Sequence, residues 1–112
     1  MLKRANRIVS AEDFRATVRK GRRAGTSGAL LYVSQRPADE PTRFGFIVSK
    51  GVGNSVTRNL VTRRLRAIGS EFVRLEPMGK DVIIRALPGC AGVSWATLQS
   101  EILEGLERSA GL

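Results

Sequence analysis

Between Arg43 and Leu75 the hydrophobic period of the chain changes from two to helical across one short turn, and such a change demands a strand feeding straight into a long surface helix. The run Arg43–Ser49, RFGFIVS, puts Phe44, Phe46 and Val48 on one side of a pleat and Gly45, Ile47 and Ser49 on the other. The second side keeps one large apolar residue, so the pattern predicts that it stays partly open. Beyond the turn, from Asn54 onward, Val61, Leu65, Ile68, Phe72 and Leu75 recur at helical intervals and predict one buried stripe. The same geometry gathers Asn59, Arg63 and Arg66 on the opposite side, with Arg74 a little apart and Arg58 and Arg64 at the margins of the stripe. No acidic residue lies between Arg58 and Arg66; a face of this kind suits a polyanion. Gly69 costs about 1 kcal/mol relative to Ala and is the weakest point of the predicted helix.

Either side of this unit the chain reads as short elements. Ser10 is an N-cap that Asp13 completes as a capping-box-like pair, opening a helix that runs to about Lys20 and stops at Gly21. Phe14 and Val18 share one face with Ala11, while Arg15 and Arg19 share another. On this pattern alone Phe14 is a core aromatic. Residues 21–28 form a turn or a short edge strand before the apolar strand Ala29–Ser34, and Arg36–Thr42, RPADEPT, makes a hairpin loop. Asp81–Arg85 is a short, nearly all-apolar strand, which predicts an inner position covered on both sides. Ser94 caps a last helix whose core stripe is Trp95, Leu98, Ile102 and Leu106, with Trp95 as a core plug and Glu101, Glu104 and Glu107 toward solvent. Without repeats or long linkers, residues 1–112 read as one domain.

Charge decides among functions. Nineteen Lys and Arg against ten Asp and Glu leave a net charge of +9. The excess is local: residues 1–25 carry eight basic and two acidic residues, residues 50–74 six and one, and residues 76–112 three and five. Fifteen of the nineteen cations are arginine, which favours bidentate phosphate contacts and stacking on bases. A nucleic acid is the leading partner. No apolar run reaches the ~20 residues of a membrane span, and MLKRANRIVS has no apolar signal-peptide core, so no membrane partner and a cytoplasmic location are expected.

Catalytic side chains are hard to assemble. There is no histidine, and Cys90 stands alone in LPGCAG, which excludes an internal disulfide, a Cys–His dyad and a zinc site, and leaves Cys90 as a packing residue. No paired carboxylates or acidic metal cluster have the spacing for acid–base or metal chemistry, so neither catalytic nor metal-ligating residues are expected. Lys50-Gly51-Val52-Gly53-Asn54 joins a strand to a helix N-terminus and has two readings, a phosphate-cradling loop or a tight glycine turn; it lacks the Gly-Lys-Ser/Thr ending of a P-loop.

The stretch FGFIVSKGVGNSVTRNLVTRRLR, Phe44–Arg66, resembles the strand–turn–helix signature of the bacterial ribonuclease P protein component, and Asp13-Phe14 followed by Lys20-Gly21 resembles the first helix of that family. The similarity covers most of the chain. It implies an α+β fold in which a four-stranded mixed sheet is packed by three helices, with a left-handed βαβ crossover around the arginine-rich helix, although about 98% of such crossovers are right-handed. It implies hydrolysis of a phosphodiester to form the mature 5′ end of tRNA, carried out by Mg2+ bound mainly to a catalytic RNA. Lys50, Asn54, Arg58, Asn59, Arg63, Arg64 and Arg66 are then assigned to the catalytic RNA. Phe14, Arg15, Val18 and Tyr32 are assigned to a cleft for the 5′ leader of precursor tRNA, which moves Phe14 from core to cleft. Lys3, Arg4, Arg7, Arg19 and Lys20 are auxiliary cations. The expected partners are the catalytic RNA and precursor tRNA, with no obligate protein partner.

Departures from the family pattern stand at Leu60 and Thr62, where further basic residues are usual, at Val18, which replaces a frequent aromatic, and at Gly51, which replaces a lysine. Two rivals follow from the residues. A ribosomal-type structural RNA binder would have no role in cleavage, and a small metal-dependent nuclease would need acidic residues that the chain does not group.

Overall fold

The computed structural model describes residues 2–109, in the order α1 (Ala11–Lys20), β1 (Arg22–Gly25), β2 (Ala29–Gln35), β3 (Arg43–Ile47), α2 (Ser55–Leu75), β4 (Lys80–Ala86) and α3 (Trp95–Ser109). The strands form one mixed sheet in the order β1-β2-β4-β3. β2 pairs antiparallel with β1 and β4, while β3 runs parallel to β4 and is joined to it through α2. β1 is the edge strand that residues 21–28 allowed, and Thr26 turns the chain back by bonding Ala29 through both its backbone N–H and its hydroxyl.

Alternation along the strands divides the core in two. Phe44, Val82 and Val33 point to the side where α2 and α3 lie, and with Leu31, Ile84 and the helix residues Val61, Leu65, Ile68, Phe72, Leu98, Ile102 and Leu106 they make the main core. Tyr32 and Ile83 point to the other side, against α1 and Ile8, in a smaller cluster with Phe14 and Val18. Glycines allow close approach on both helices of the main layer. A Cβ at Gly69 would stand 3.2 Å from the Phe44 ring, and one at Gly105 would stand 2.8 Å from the Leu31 side chain. Gly69 therefore marks a contact with the sheet, and α2 runs unbroken through it.

Helix ends account for two corrections. Leu75 was expected in the buried stripe and is 58% exposed; Trp95 was expected as a core plug and is 38% exposed. Each is a terminal residue of its helix, so it has the right phase for burial but lies past the edge of the sheet. The inner position of β4 is as expected, yet only Val82, Ile83 and Ile84 are fully covered, and Arg85 emerges into solvent. No helix among the described residues is long and apolar enough to cross a membrane.

Candidate nucleic-acid interface

The arginine face begins with a tight turn. Lys50–Val52 forms a 3-10 turn in which the Val52 and Gly53 amides bond back to Ser49 and Lys50. Gly53 has φ 155°, and a Cβ there would stand 2.8 Å from Thr57; only glycine tolerates this backbone. The glycines thus serve the turn, and two amides that a phosphate cradle would need are already bonded. Asn54 then caps α2, its Oδ1 accepting from Thr57 N at 2.9 Å. Its assignment to RNA is revised accordingly: the acceptor oxygen holds the helix, and the side-chain NH2 is what it offers outward.

Along α2 the predicted grouping is present. Asn59, Arg63 and Arg66, with Val56 and Thr62, line one surface groove of about 500 Å3. Asn59 and Arg63 are exposed and Arg66 is half-buried. Arg58 and Arg64 sit at the margins and are half-buried. Arg58 reaches Ser55 Oγ at 3.4 Å while its Nε is buried without a partner. Arg64 lies by Cys90, whose thiol is buried in the core; burial pushes the thiol pKa up, with the Arg64 charge opposing. No acidic side chain forms an ion pair with any of these arginines among the described residues.

On the other side of the sheet, α1 carries the second set. Ser10 caps it through Asp13 N at 3.3 Å. The half-buried Phe14 ring lies over Gly45 of β3, so close that a Cβ there would come within 2.5 Å of it. Arg15 is exposed, and Val18 is half-buried above Tyr32 and Ile83. Tyr32 requires a correction, since at 6% exposure it cannot offer a ring face to a base. It sits on an inner strand between Arg23 and Ile83 with α1 above it, so it is the floor of the cleft. The auxiliary cations Lys3, Arg4, Arg7, Arg19 and Lys20 are all exposed, and Arg7 is in addition tied to Leu2 O through Nε at 3.2 Å and Nη2 at 2.9 Å.

Three features had little or no sequence signal. Arg43 grips Asp81 with two 2.8 Å hydrogen bonds and reaches Asp13 Oδ2 at 3.2 Å, so the N-terminus of α1 is fastened to β3 and β4 one residue before Phe14. The Asp81 bonds raise the Arg43 pKa above its usual value and keep it charged. Residues 2–8 run along β3, with Ile8 N bonded to Phe44 O at 2.9 Å and Asn6 Nδ2 to Thr42 O at 2.8 Å. Finally, a groove of about 340 Å3 wraps the outer edge of β3, the edge strand, and is lined by Ile8, Phe14 and Gly45 on one side and by Phe46, Val48, Thr62 and Arg66 on the other. The two predicted surfaces are therefore continuous. Val9, 71% exposed, extends the Phe14 side together with Arg15.

Comparison with known proteins gives a consistent result. The family model for Ribonuclease P matches residues 2–110. The chain is 48% identical over 109 residues to a ribonuclease P protein component of Clavibacter michiganensis, covering 97% of this chain and 96% of that one. A counterpart from Pseudarthrobacter chlorophenolicus is 46% identical, covering 96% and 79%. Among solved structures, the Staphylococcus aureus RNase P protein superposes with a TM-score of 0.80 at 25% identity, covering 94% of this chain and 95% of that one. The Thermotoga maritima RNase P protein shares the fold at a TM-score of 0.78, covering 91% and 96%.

Proposed function

The chain belongs to the ribonuclease P protein family, and from that premise we propose a division of labour between its two basic surfaces. As a protein component of ribonuclease P it is part of an endoribonuclease complex that processes tRNA and works with an RNA subunit; this membership sets aside the ribosomal-type alternative. In our reading α2 docks on the catalytic RNA, and the groove beside Phe14 takes the single-stranded 5′ leader of precursor tRNA. The observation that carries the reading is the unpaired set Asn59, Arg63 and Arg66, joined around β3 to an accessible aromatic.

Each part has a physical task. Guanidinium groups with no acidic partner bind phosphate bidentately without first breaking an ion pair. Phe14, held by the Arg43–Asp13 link, offers a stacking platform, and stacking contributes about 1–3 kcal/mol per base whatever its identity. No group of three acidic, His or Cys side chains comes together among the described residues, and Asp81 and Asp13 are engaged by arginines. The described residues thus offer no such cluster to hold Mg2+, and in our reading the ion would be held by the RNA subunit and would supply the hydrolytic chemistry there. The protein contributes binding and orientation, in the cytoplasm.

Reconstitution with the cognate RNA at low Mg2+ tests this. Adding the protein is expected to restore cleavage of precursor tRNA. Cleavage by the protein without RNA would overturn the assignment.

A further inference from the structure

Trp95 is the only tryptophan of the chain and, at 38% exposure, its most open aromatic; Phe14 and Phe46 are half-buried, and Phe44, Phe72 and Tyr32 are buried. It joins neither aromatic pair of the described residues, Phe44–Phe46 and Phe44–Phe72. Two ties fix where it stands. Gln99 Nε2 holds Glu71 Oε2 at 2.7 Å, and Arg64 lies by Cys90 in the 3-10 turn Cys90–Gly92, which packs against α2. α2 and α3 therefore run side by side in the same direction, and Trp95, one turn before Gln99, stands by Ala67, one turn before Glu71. A side chain as small as Ala67 cannot cover an indole, so the ring stays open.

Ala67 belongs to a flank of α2. Leu60, Arg63, Arg64 and Ala67 follow at i, i+3, i+4 and i+7 and share one side of the helix. Leu60 is 37% exposed, Arg63 is exposed and Arg64 half-buried, and neither arginine has an acidic partner among the described residues. Arg63 thus stands in two rows at once, the groove with Asn59 and Arg66 and the flank that leads to Trp95. Glu71, engaged by Gln99, ends the flank on its far side.

We propose that Trp95 is a base-stacking contact for the catalytic RNA, in which an unpaired nucleotide lays its base on the indole while Arg63 and Arg64 hold the adjoining phosphates. An open aromatic beside guanidinium groups without acidic partners matches a base flanked by phosphates, and the flank is continuous with the arginine face of α2. The Glu71 carboxylate repels phosphate at the far end, so the nucleotide approaches from the Arg63 side. The inference rests on the reading of α2 as the dock for the catalytic RNA.

The test titrates the full chain with the cognate catalytic RNA and follows the emission of its single tryptophan and the quenching of that emission by acrylamide. The RNA is expected to quench the emission and to lower acrylamide access several-fold. Trp95→Ala should weaken RNA binding about tenfold with an unchanged salt slope, because stacking releases no counterions, whereas Arg63→Ala should lower the slope by about one. Trp95→Phe should keep most of the affinity. Trp95→Leu, which retains apolar bulk without a ring, carries the same comparison should the alanine variant fail to fold. Emission and acrylamide access that the RNA leaves unchanged overturn the proposal; if Arg63→Ala still weakens assembly, the α2 reading stands. If neither Arg63→Ala nor Trp95→Ala alters binding, the α2 reading fails as well. Emission that changes with protein concentration alone assigns the ring to a second copy of the chain and likewise overturns the proposal.

Discussion

α2 and α3 lie side by side on the same face of the sheet, linked by Gln99 Nε2 bonding Glu71 Oε2 at 2.7 Å, and they bury their stripes in the same way. Val61, Leu65, Ile68 and Phe72 on one, and Leu98, Ile102 and Leu106 on the other, are fully enclosed. Their outward sides are opposites. α2 shows Asn59, Arg63, Arg66 and Arg74, whereas α3 shows Glu104 and Glu107, with Arg108 neutralised by Glu104 at 2.8 Å. Burial fixes where a helix lies and leaves its other face free, so the difference between these helices reports function rather than folding.

The broadest test of that contrast is salt. If α2 and its neighbours neutralise about six phosphates, affinity for the catalytic RNA should fall about 10³-fold between roughly 50 and 200 mM salt, and a slope near zero would remove the electrostatic account. Next comes charge reversal. Arg63→Glu with Arg66→Glu should weaken RNA binding about 100-fold, while Glu104→Lys with Glu107→Lys should leave it within a few-fold; equal losses, read by titration against labelled RNA, would erase the distinction between the helices. Removing the α1 clamp by Arg43→Met should cost about 2 kcal/mol of stability, visible as a lower thermal midpoint, and should weaken leader binding more than catalytic-RNA binding. The smallest effect is expected from Cys90: its buried thiol should react slowly with an alkylating reagent in the folded protein and rapidly once the chain is denatured.

Much of the fold was legible because it depends on local period. The strand-to-helix switch, the caps at Ser10 and Ser94, and the stripes of α2 and α3 all follow from spacing within one element. Leu75 and Trp95 were misplaced because period gives the phase of a side chain and says nothing of where the opposing layer ends. The α2 face was legible for the same reason as its stripe. The cleft was less so, since Phe14 has a core spacing and its half-open state depends on Gly45 from a strand 31 positions away. Tyr32 failed because its coverage comes from α1, a non-neighbouring element. The Arg43–Asp81 grip spans 38 positions and has no local pattern at all. Arg85 did leave a signal, a charge breaking an apolar run on the face shared with Ile83, and it now has a structural meaning as the end of the covered sheet.

The division of labour is tested most directly by measuring precursor and mature tRNA affinity on the holoenzyme with Phe14→Ala and Arg63→Ala in parallel, at protein concentrations that saturate the catalytic RNA. Phe14→Ala should reduce the preference for precursor over mature tRNA by ~1–3 kcal/mol and leave assembly with the catalytic RNA unchanged. Arg63→Ala should weaken assembly and leave the preference intact. Two variants that shift the same quantity in the same proportion would contradict the account.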